Sequence, residues 1–293
     1  MKSVVILGAG GYIGSYLTRK LSKKYKLRVL VHRPSDADLF SGLRNVAVFS
    51  GDILKRGGLE NLIRKGDIVI NLSGTTNMTQ EAKRHFDVNV TGQHIVAEVC
   101  ARKGARVICF STANIYSGGK NTSKESESTR PQDVYSLSKK LSEEVYEFYS
   151  RTHNLSAIIF RLSSVYGPEH KKGVVFNMAQ SIKVCGVIEI PKQPVIRDFI
   201  YIDDVVLAVE KAISYSKRGF NIFNIASGSG QTLACIAELI CAIVKRGKIA
   251  RVDKESHPET VHVNITKARK ELRFNPSVSL DAGLQRTLLS YKL

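Results

Sequence analysis

The sequence has no tryptophan, few acids for its many bases, and no apolar run approaching the length of a membrane span. The missing tryptophan carries no functional information. The missing run excludes a helical membrane protein, since about 20 consecutive apolar residues are needed to cross a bilayer. The first residues lead straight into a strand pattern and offer no signal peptide, so the expected compartment is the cytoplasm. Cysteines are few and odd in number: Cys100, Cys109, Cys185, Cys235 and Cys241. They sit in apolar surroundings without metal-ligand spacing, so they read as reduced core residues, with no disulfide framework and no metal site. No internal repeat is present. Acids number 26 against 44 lysines and arginines, a net charge of +18, which fits a nucleic-acid partner, an acidic small substrate or a lysine-rich surface. The bases are spread from Lys20 to Lys248 without the interleaved aromatics of a single-strand platform. They read mostly as solvated surface with some attraction for anionic nucleotides, and nucleic acid is not an expected partner.

Among what is there, Val4–Leu17 organises the chain. Val4, Val5, Ile6 and Leu7 form an apolar β-branched run that reads as a buried parallel strand. Gly8, Gly11 and Gly14 follow, and Tyr12, Ile13, Tyr16, Leu17 and Leu21 recur at helical spacing. Strand, glycine turn and helix in that order suit a pyrophosphate. Gly8 permits the turn, Gly11 lets backbone approach the ligand, and Gly14 lets helix pack on strand. The helix N-terminus supplies unpaired N–H groups and a positive dipole end.

Strand and helix patterns then alternate. Strands are expected at Leu27–Val31, Val46–Phe49, Ile68–Leu72 and Val107–Phe110, with helices at Leu59–Arg64 and at roughly 80–103. This predicts an α/β fold, a parallel sheet with helices on both faces and ligands at the carboxyl ends of its strands. The polar stretch Lys120–Arg130 reads as a mobile loop. The second strand ends in His32-Arg33-Pro34-Ser35, where an acid would select NAD. Arg33 instead suits a 2′-phosphate and slightly favours NADP, although Asp36 is near enough to turn back toward the ribose. Strand five runs into Ser111 and Thr112, and the following helix carries Tyr135 and Lys139, four apart and so on one face. An ammonium there is expected to lower the phenol pKa, making Tyr135 a usable acid and base.

Together these segments resemble the extended short-chain dehydrogenase/reductase superfamily, in its NAD-dependent epimerase/dehydratase branch. The resemblance rests on GAGGYIG at Gly8–Gly14, GDI at Gly51–Ile53, NLSG at Asn71–Gly74 and NVTG at Asn89–Gly92. It continues through Ser111-Thr112, YSLSK at Tyr135–Lys139, RLSSVYGP at Arg161–Pro168, RDFIYIDDV at Arg197–Val205 and FNIASG at Phe223–Gly228. It implies a Rossmann-type doubly wound sheet in residues 1–166. Residues 167–293 would form a smaller α/β substrate-binding lobe, with the chain crossing back near 197–228. It implies NADP or NAD as cofactor, held by Gly8, Gly11, Tyr12, Ile13, Gly14, Arg33, Asp52, Ile53, Leu72, Ser73, Gly74 and Asn89 together with Tyr135 and Lys139. Tyr135 would be the acid/base, Lys139 its tuning ammonium, and Thr112 the catalytic hydroxyl, with Ser111 a close second. Ser111, Thr112, Asn114, Ser164 and Arg197 would bind a nucleotide-diphosphate sugar. A homodimer through a four-helix bundle is also implied, with Ile95, Val99, Val145 and Phe148 as apolar positions.

Departures from the family pattern narrow the reaction. Ala113 and Asn114 follow Thr112 where the dehydratases carry Asp-Glu, which argues against a 4,6-dehydratase. Ser164 replaces the usual Asn, and the second arginine of the C-terminal lobe is replaced near His257-Pro258-Glu259. The expected activity is hydride transfer at a sugar carbon, C4 foremost, as a 4-epimerase or a ketoreductase. The alternative is a non-catalytic member: an RNA-binding or assembly subunit, or a dinucleotide sensor.

Overall fold

The structure, a computed structural model, describes residues 3–76, 81–116, 122–253 and 260–293. Its strands are β1 (Ser3–Leu7), β2 (Lys26–Val31), β3 (Val46–Ser50), β4 (Ile68–Asn71), β5 (Arg106–Thr112) and β6 (Ala157–Leu162). They continue as β7 (Ser164–Tyr166), β8 (Val187–Pro191), β9 (Ile196–Tyr201), β10 (Phe220–Ile225), β11 (Gly230–Thr232) and β12 (Lys248–Val252). The α-helices are α1 (Tyr12–Leu21), α2 (Arg56–Leu62), α3 (Ala82–Phe86), α4 (Gly92–Arg102) and α5 (Val134–His153). The last four are α6 (Gly173–Cys185), α7 (Ile202–Ser214), α8 (Leu233–Val244) and α9 (Leu280–Ser290).

The chain divides into two compact units. The first holds residues 1–115, 130–161 and 209–223; the second holds 116–129, 162–208 and 224–293. A single cut at 166 does not describe this division. Residues 209–223 return to the first unit because β10 is the edge strand beside β6, where its apolar residues find cover.

A seven-stranded sheet in the order β10-β6-β5-β4-β1-β2-β3 dominates the first unit. The pairs β1–β2, β1–β4, β2–β3 and β4–β5 are all parallel. Crossover helices cover both faces of such a sheet, which is why β1, β4 and β6 are mostly apolar and almost wholly buried. Val5, Leu7, Val69, Val107 and Ile159 meet Val96 and Val99 of α4 and Tyr146 of α5 in one core cluster. Each such side chain contributes about 1.5–3 kcal/mol by burial.

The helix expected over roughly 80–103 is interrupted. Between α3 and α4 the chain makes a wide π-type turn at Asp87–Thr91, a device that turns a side chain out of helical register. Here it brings Asn89 fully inside. Val99 is likewise core, facing the sheet, whereas Phe148 stays 48% exposed, so only the latter fits the expected interface role.

In the second unit β11, β9 and β7 form a three-stranded sheet and β12 pairs with β8. The described part of the stretch expected to be a mobile loop is pinned. Ser123 donates its N–H to His262 O at 2.9 Å and accepts Asn264 N–H at 2.8 Å, while the Glu125 carboxylate accepts Asn224 N–H at 2.9 Å. Those backbone partners, invisible to composition, override the polar sequence. Cys185 is exposed at the end of α6, unlike buried Cys100 and Cys109, so not every cysteine is a core residue. His257, Pro258 and Glu259 lie outside the described residues.

Candidate active site

The glycine turn is built by close approach. Gly8 has φ +77°, and a Cβ there would lie 2.7 Å from Ser73 N and 2.8 Å from the Leu72 carbonyl carbon. Only glycine lets the ends of β1 and β4 meet so closely. A Cβ on Gly14 would lie 2.8 Å from Ala9 Cα and would overlap Gly8 O. Gly11 is the N-cap of α1, with extended backbone and no side-chain cap. The first turn of α1 also carries no acid and no side-chain cap, so the positive end of the helix is open to an anion. The chain thus forms an uncapped, glycine-walled cradle that fits a dinucleotide pyrophosphate.

The flanking strands add their ends. Asp52 follows β3 and accepts the Leu54 N–H at 3.0 Å, which fixes its carboxylate. Ile53 packs on the start of α4, where a Cβ on Gly92 would lie 2.5 Å from its Cδ1. Arg33, beyond β2, is bound by Asp36 in a bidentate pair at 3.2 Å and 3.0 Å. The Asp36 carboxylate lies against Gly10, so it has turned back onto the glycine loop. Leu72–Gly74 leaves β4 as a tight turn, with Ser73 N–H donated to Asn71 Oδ1 at 3.0 Å.

The residues expected to carry the chemistry come from β5 and α5. Asp133 caps α5 through a capping box, accepting Ser136 N–H at 2.6 Å. That fixes the first turn, which carries Tyr135, and the next, which carries Lys139. Lys139 is buried, and a Cβ on Gly74 would lie 3.8 Å from its Nζ. Ser111 and Thr112 end β5, both buried. Thr112 Oγ1 accepts Asn114 N–H at 3.2 Å and acts on the Tyr135 phenol, holding its pKa down. Ser111 Oγ is buried with no partner among the described residues.

The electrostatics differ from the sequence expectation. Burial pushes the Tyr135 phenol up to about 12; the Thr112 hydrogen bond opposes the shift and the Asp133 carboxylate adds to it. Burial also pushes the Lys139 pKa down, opposed by Cys109 and Glu143. Loss of water dominates at both groups, and Lys139 is not among the charges that act on the phenol in the unliganded chain.

Asn89, expected from the resemblance to hold the cofactor, is placed differently, and several further contributors were not legible in the sequence. Asn89 spends its amide on positioning: Oδ1 accepts Thr75 N–H at 2.9 Å, and Nδ2 donates to Thr75 O at 3.0 Å and Ser138 Oγ at 2.9 Å. It ties the loop after β4 to α5 beside Lys139. His85 of α3 is buried and sets its ring edge to Tyr135, with centroids 6.2 Å apart. Behind Lys139, Glu143 and Arg161 form a buried ion pair at 2.8 Å. Asn71, Gln93 and Tyr146 form a closed hydrogen-bond triangle of 2.8–3.0 Å. A buried glutamate four residues after Lys139, on the same helix face, was the one available signal.

In the second unit, Ser164 pairs with Phe199 across β7 and β9, and Arg197 pairs with Gln231 across β9 and β11. Two acids near Arg197 in sequence are taken. Asp198 accepts the backbone N–H groups of Ser227 and Gly228 at 2.8 Å and 2.9 Å, and Asp204 accepts those of Ser277 and Val278 at 2.9 Å and 3.2 Å.

The chain is similar to several known proteins. dTDP-D-glucose 4,6-dehydratase of Dictyostelium discoideum is 27% identical over 258 residues, covering 78% of this chain; the match spans 58% of that relative's length. dTDP-4-dehydro-6-deoxyglucose reductase of Escherichia coli is 26% identical over 317 residues, covering 99% of this chain and 97% of the relative. A mutant UDP-glucuronic acid 4-epimerase from Bacillus cereus, solved with a UDP-fluorosugar acid and NAD, superposes with a TM-score of 0.90 at 21% identity over 99% of both chains. At that identity the likeness speaks for the fold. The family model for the NAD-dependent epimerase/dehydratase family matches residues 4–226, from β1 to the end of β10, and the chain belongs to that family.

Proposed function

We propose that the protein is an NAD(P)-dependent nucleotide-sugar 4-epimerase or ketoreductase with Tyr135 as its acid/base. One observation carries this reading: Tyr135, on which Thr112 acts, sits one helical turn from a buried Lys139 that faces Gly74. A protein that only binds has no use for a buried ammonium next to a phenol.

Gly8, Gly11, Tyr12, Ile13 and Gly14 would hold the pyrophosphate of the dinucleotide, Asp52 and Ile53 its adenine side, and Leu72–Gly74 with Lys139 its nicotinamide ribose. Nicotinamide, when bound, supplies the hydride acceptor and donor. Tyr135 takes the proton of the substrate hydroxyl on oxidation and returns it on reduction. Thr112 Oγ1 gives that oxygen its second hydrogen bond as charge develops. Lys139 holds positive charge beside the phenol. Asn89 keeps the Thr75 backbone fixed to α5. Ser111, whose hydroxyl is unspent, and Asn114 would meet the sugar, with Ser164 and Arg197 of the second unit serving the nucleotide-diphosphate sugar. A bidentate guanidinium suits a diphosphate. No carboxylate follows Thr112, since Ala113 is buried and Asn114 is neutral, which favours epimerisation or reduction over 4,6-dehydration.

NADP(H) is the favoured dinucleotide, read from Arg33. Its bond to Asp36 is a resting pair that a 2′-phosphate would replace with an equally bidentate one. A homodimer through α4 and α5 is supported by an apolar surface hollow lined by Val90, His94, Leu141, Val145, Phe148 and Tyr149. Val134 and Leu137 are also exposed on α5.

Mass spectrometry of small molecules retained by the purified protein, followed by UDP-, dTDP- and GDP-sugars with each dinucleotide, tests the reading. Turnover of at least one sugar nucleotide is expected. Tight dinucleotide binding with no turnover across the panel would leave a sensor instead.

A further inference from the structure

The opposite end of the seven-stranded sheet carries a second polar cavity, of about 370 Å³. Ser3, Ile68 and Arg106, the first residues of β1, β4 and β5, line it, together with Ser156 just before β6 and Arg218 just before β10. Gly8, Ser73 and Thr112 lie at the other, carboxyl ends of the same parallel strands. The cavity is therefore separate from the glycine cradle and from Tyr135, and it lies wholly within the first unit. Its volume is within the range of small-molecule pockets.

Its polar groups are incompletely matched. Arg106 donates to the carbonyls of Ala212 and Ile213 at 2.8 Å each and to that of Tyr215, at the C-terminal end of α7. Its Nε–H is buried with no acceptor among the described residues, and Ser156 Oγ is likewise buried without a partner among them. Arg218 is exposed at the rim. Burial pushes the Arg106 pKa down, and the Arg218 charge pushes it the same way. No carboxylate offsets them: among the described residues neither arginine has an ion-pair partner. Asp67, between the lining residues Gly66 and Ile68, is already taken by Arg28 at 2.5 Å and by Arg64 N–H at 2.6 Å. The carbonyl end of α7 supplies about half a negative charge. Two guanidiniums therefore leave about +1.5, which a phosphate carrying about −1.5 to −2 near neutral pH would balance.

We propose that this cavity is a binding site for a phosphate-class dianion, free or as a small phosphomonoester, held by Arg106 Nε, Ser156 Oγ and Arg218. Arg106, Ser156 and Arg218 all line this cavity, and an oxyanion that reached the buried Nε and Oγ would give each its missing partner while leaving the α7 contacts of Arg106 in place. The net charge of +18 raises the local concentration of such an anion.

Calorimetric titration of the full chain with inorganic phosphate, and separately with glycerol 3-phosphate, tests this. Each is run with and without saturating NAD⁺, which fills the cradle at the other end of the sheet. Saturable binding that persists with NAD⁺ is expected, and the tighter of the two anions identifies the source. Arg218→Gln should weaken it by about tenfold or more, because a charge-assisted contact is lost. Ser156→Ala should weaken it about two- to tenfold. Arg218 is exposed and unpaired, so an unchanged unfolding curve without anion is expected for Arg218→Gln. Binding of neither anion, binding that both variants leave intact, or binding abolished by NAD⁺ would overturn the proposal.

Discussion

Tyr135 rests at a pKa unsuited to its task. A general acid/base works best near the ambient pH, yet burial holds this phenol at about 12. Lys139 does not offset that burial in the unliganded chain, so the positive charge of an oxidised dinucleotide has to complete the shift. Difference titration of the unliganded protein against Tyr135→Phe should therefore reveal a phenolate only near pH 12, while the pH–rate profile for sugar oxidation titrates well below that. A Tyr135 phenolate near neutral pH without dinucleotide would contradict this division of labour. Arg33 gives a second test at this scale. Arg33→Ala should weaken NADP(H) more than NAD(H), and Asp36→Asn, which frees Arg33, should shift preference further toward NADP(H). Equal losses for both dinucleotides would remove Arg33 from the selection. Gly8 and Gly14 were legible in the sequence because backbone contact admits no side chain. The Arg33–Asp36 pair was not, because four residues of turn decide where Asp36 points.

Helix α5 concentrates the chemistry in one element. Its capping box fixes the first turn, and Tyr135, Lys139 and Glu143 follow at four-residue steps along one face. Glu143 and Arg161 are both buried, so each depends on the other for compensation. Glu143→Gln should cost about 3–5 kcal/mol, the usual price of stranding a buried charge. Asp133→Ala should cost about 1 kcal/mol through loss of the cap. Urea midpoints measure both, and a Glu143→Gln loss below that of Asp133→Ala would contradict the ranking. The four-residue spacing of Tyr135 and Lys139 made α5 readable. The π-type turn at Asp87–Thr91 was not, because the sequence on either side keeps a helical pattern. Only packing shows that Asn89 turns inward to join Thr75 to Ser138.

For the whole molecule, the alternation of strand and helix was enough to give the parallel sheet. Alternation alone does not locate the return of 209–223 to the first unit, because β10 has no neighbour of its own in sequence; the crossing back expected near 197–228 came from the family resemblance. Nor could periodicity separate residues of α4 and α5 that face the sheet from those that face outward. Val99 faces the core and Phe148 faces solvent. Phe148→Glu should thus leave folding intact and convert a dimer to a monomer in sedimentation at micromolar concentration. A wild-type monomer under the same conditions would remove the α4–α5 interface.

At every scale the account converges on a single proton donor and acceptor, so the most direct measurement is turnover of the best sugar nucleotide by Tyr135→Phe, with dinucleotide affinity measured alongside. The ring and its packing survive the change, and only the exchangeable proton is lost. Turnover should fall about 10²–10⁴-fold while dinucleotide binding stays close to wild type. Near-normal turnover by Tyr135→Phe would contradict the tyrosine-based mechanism.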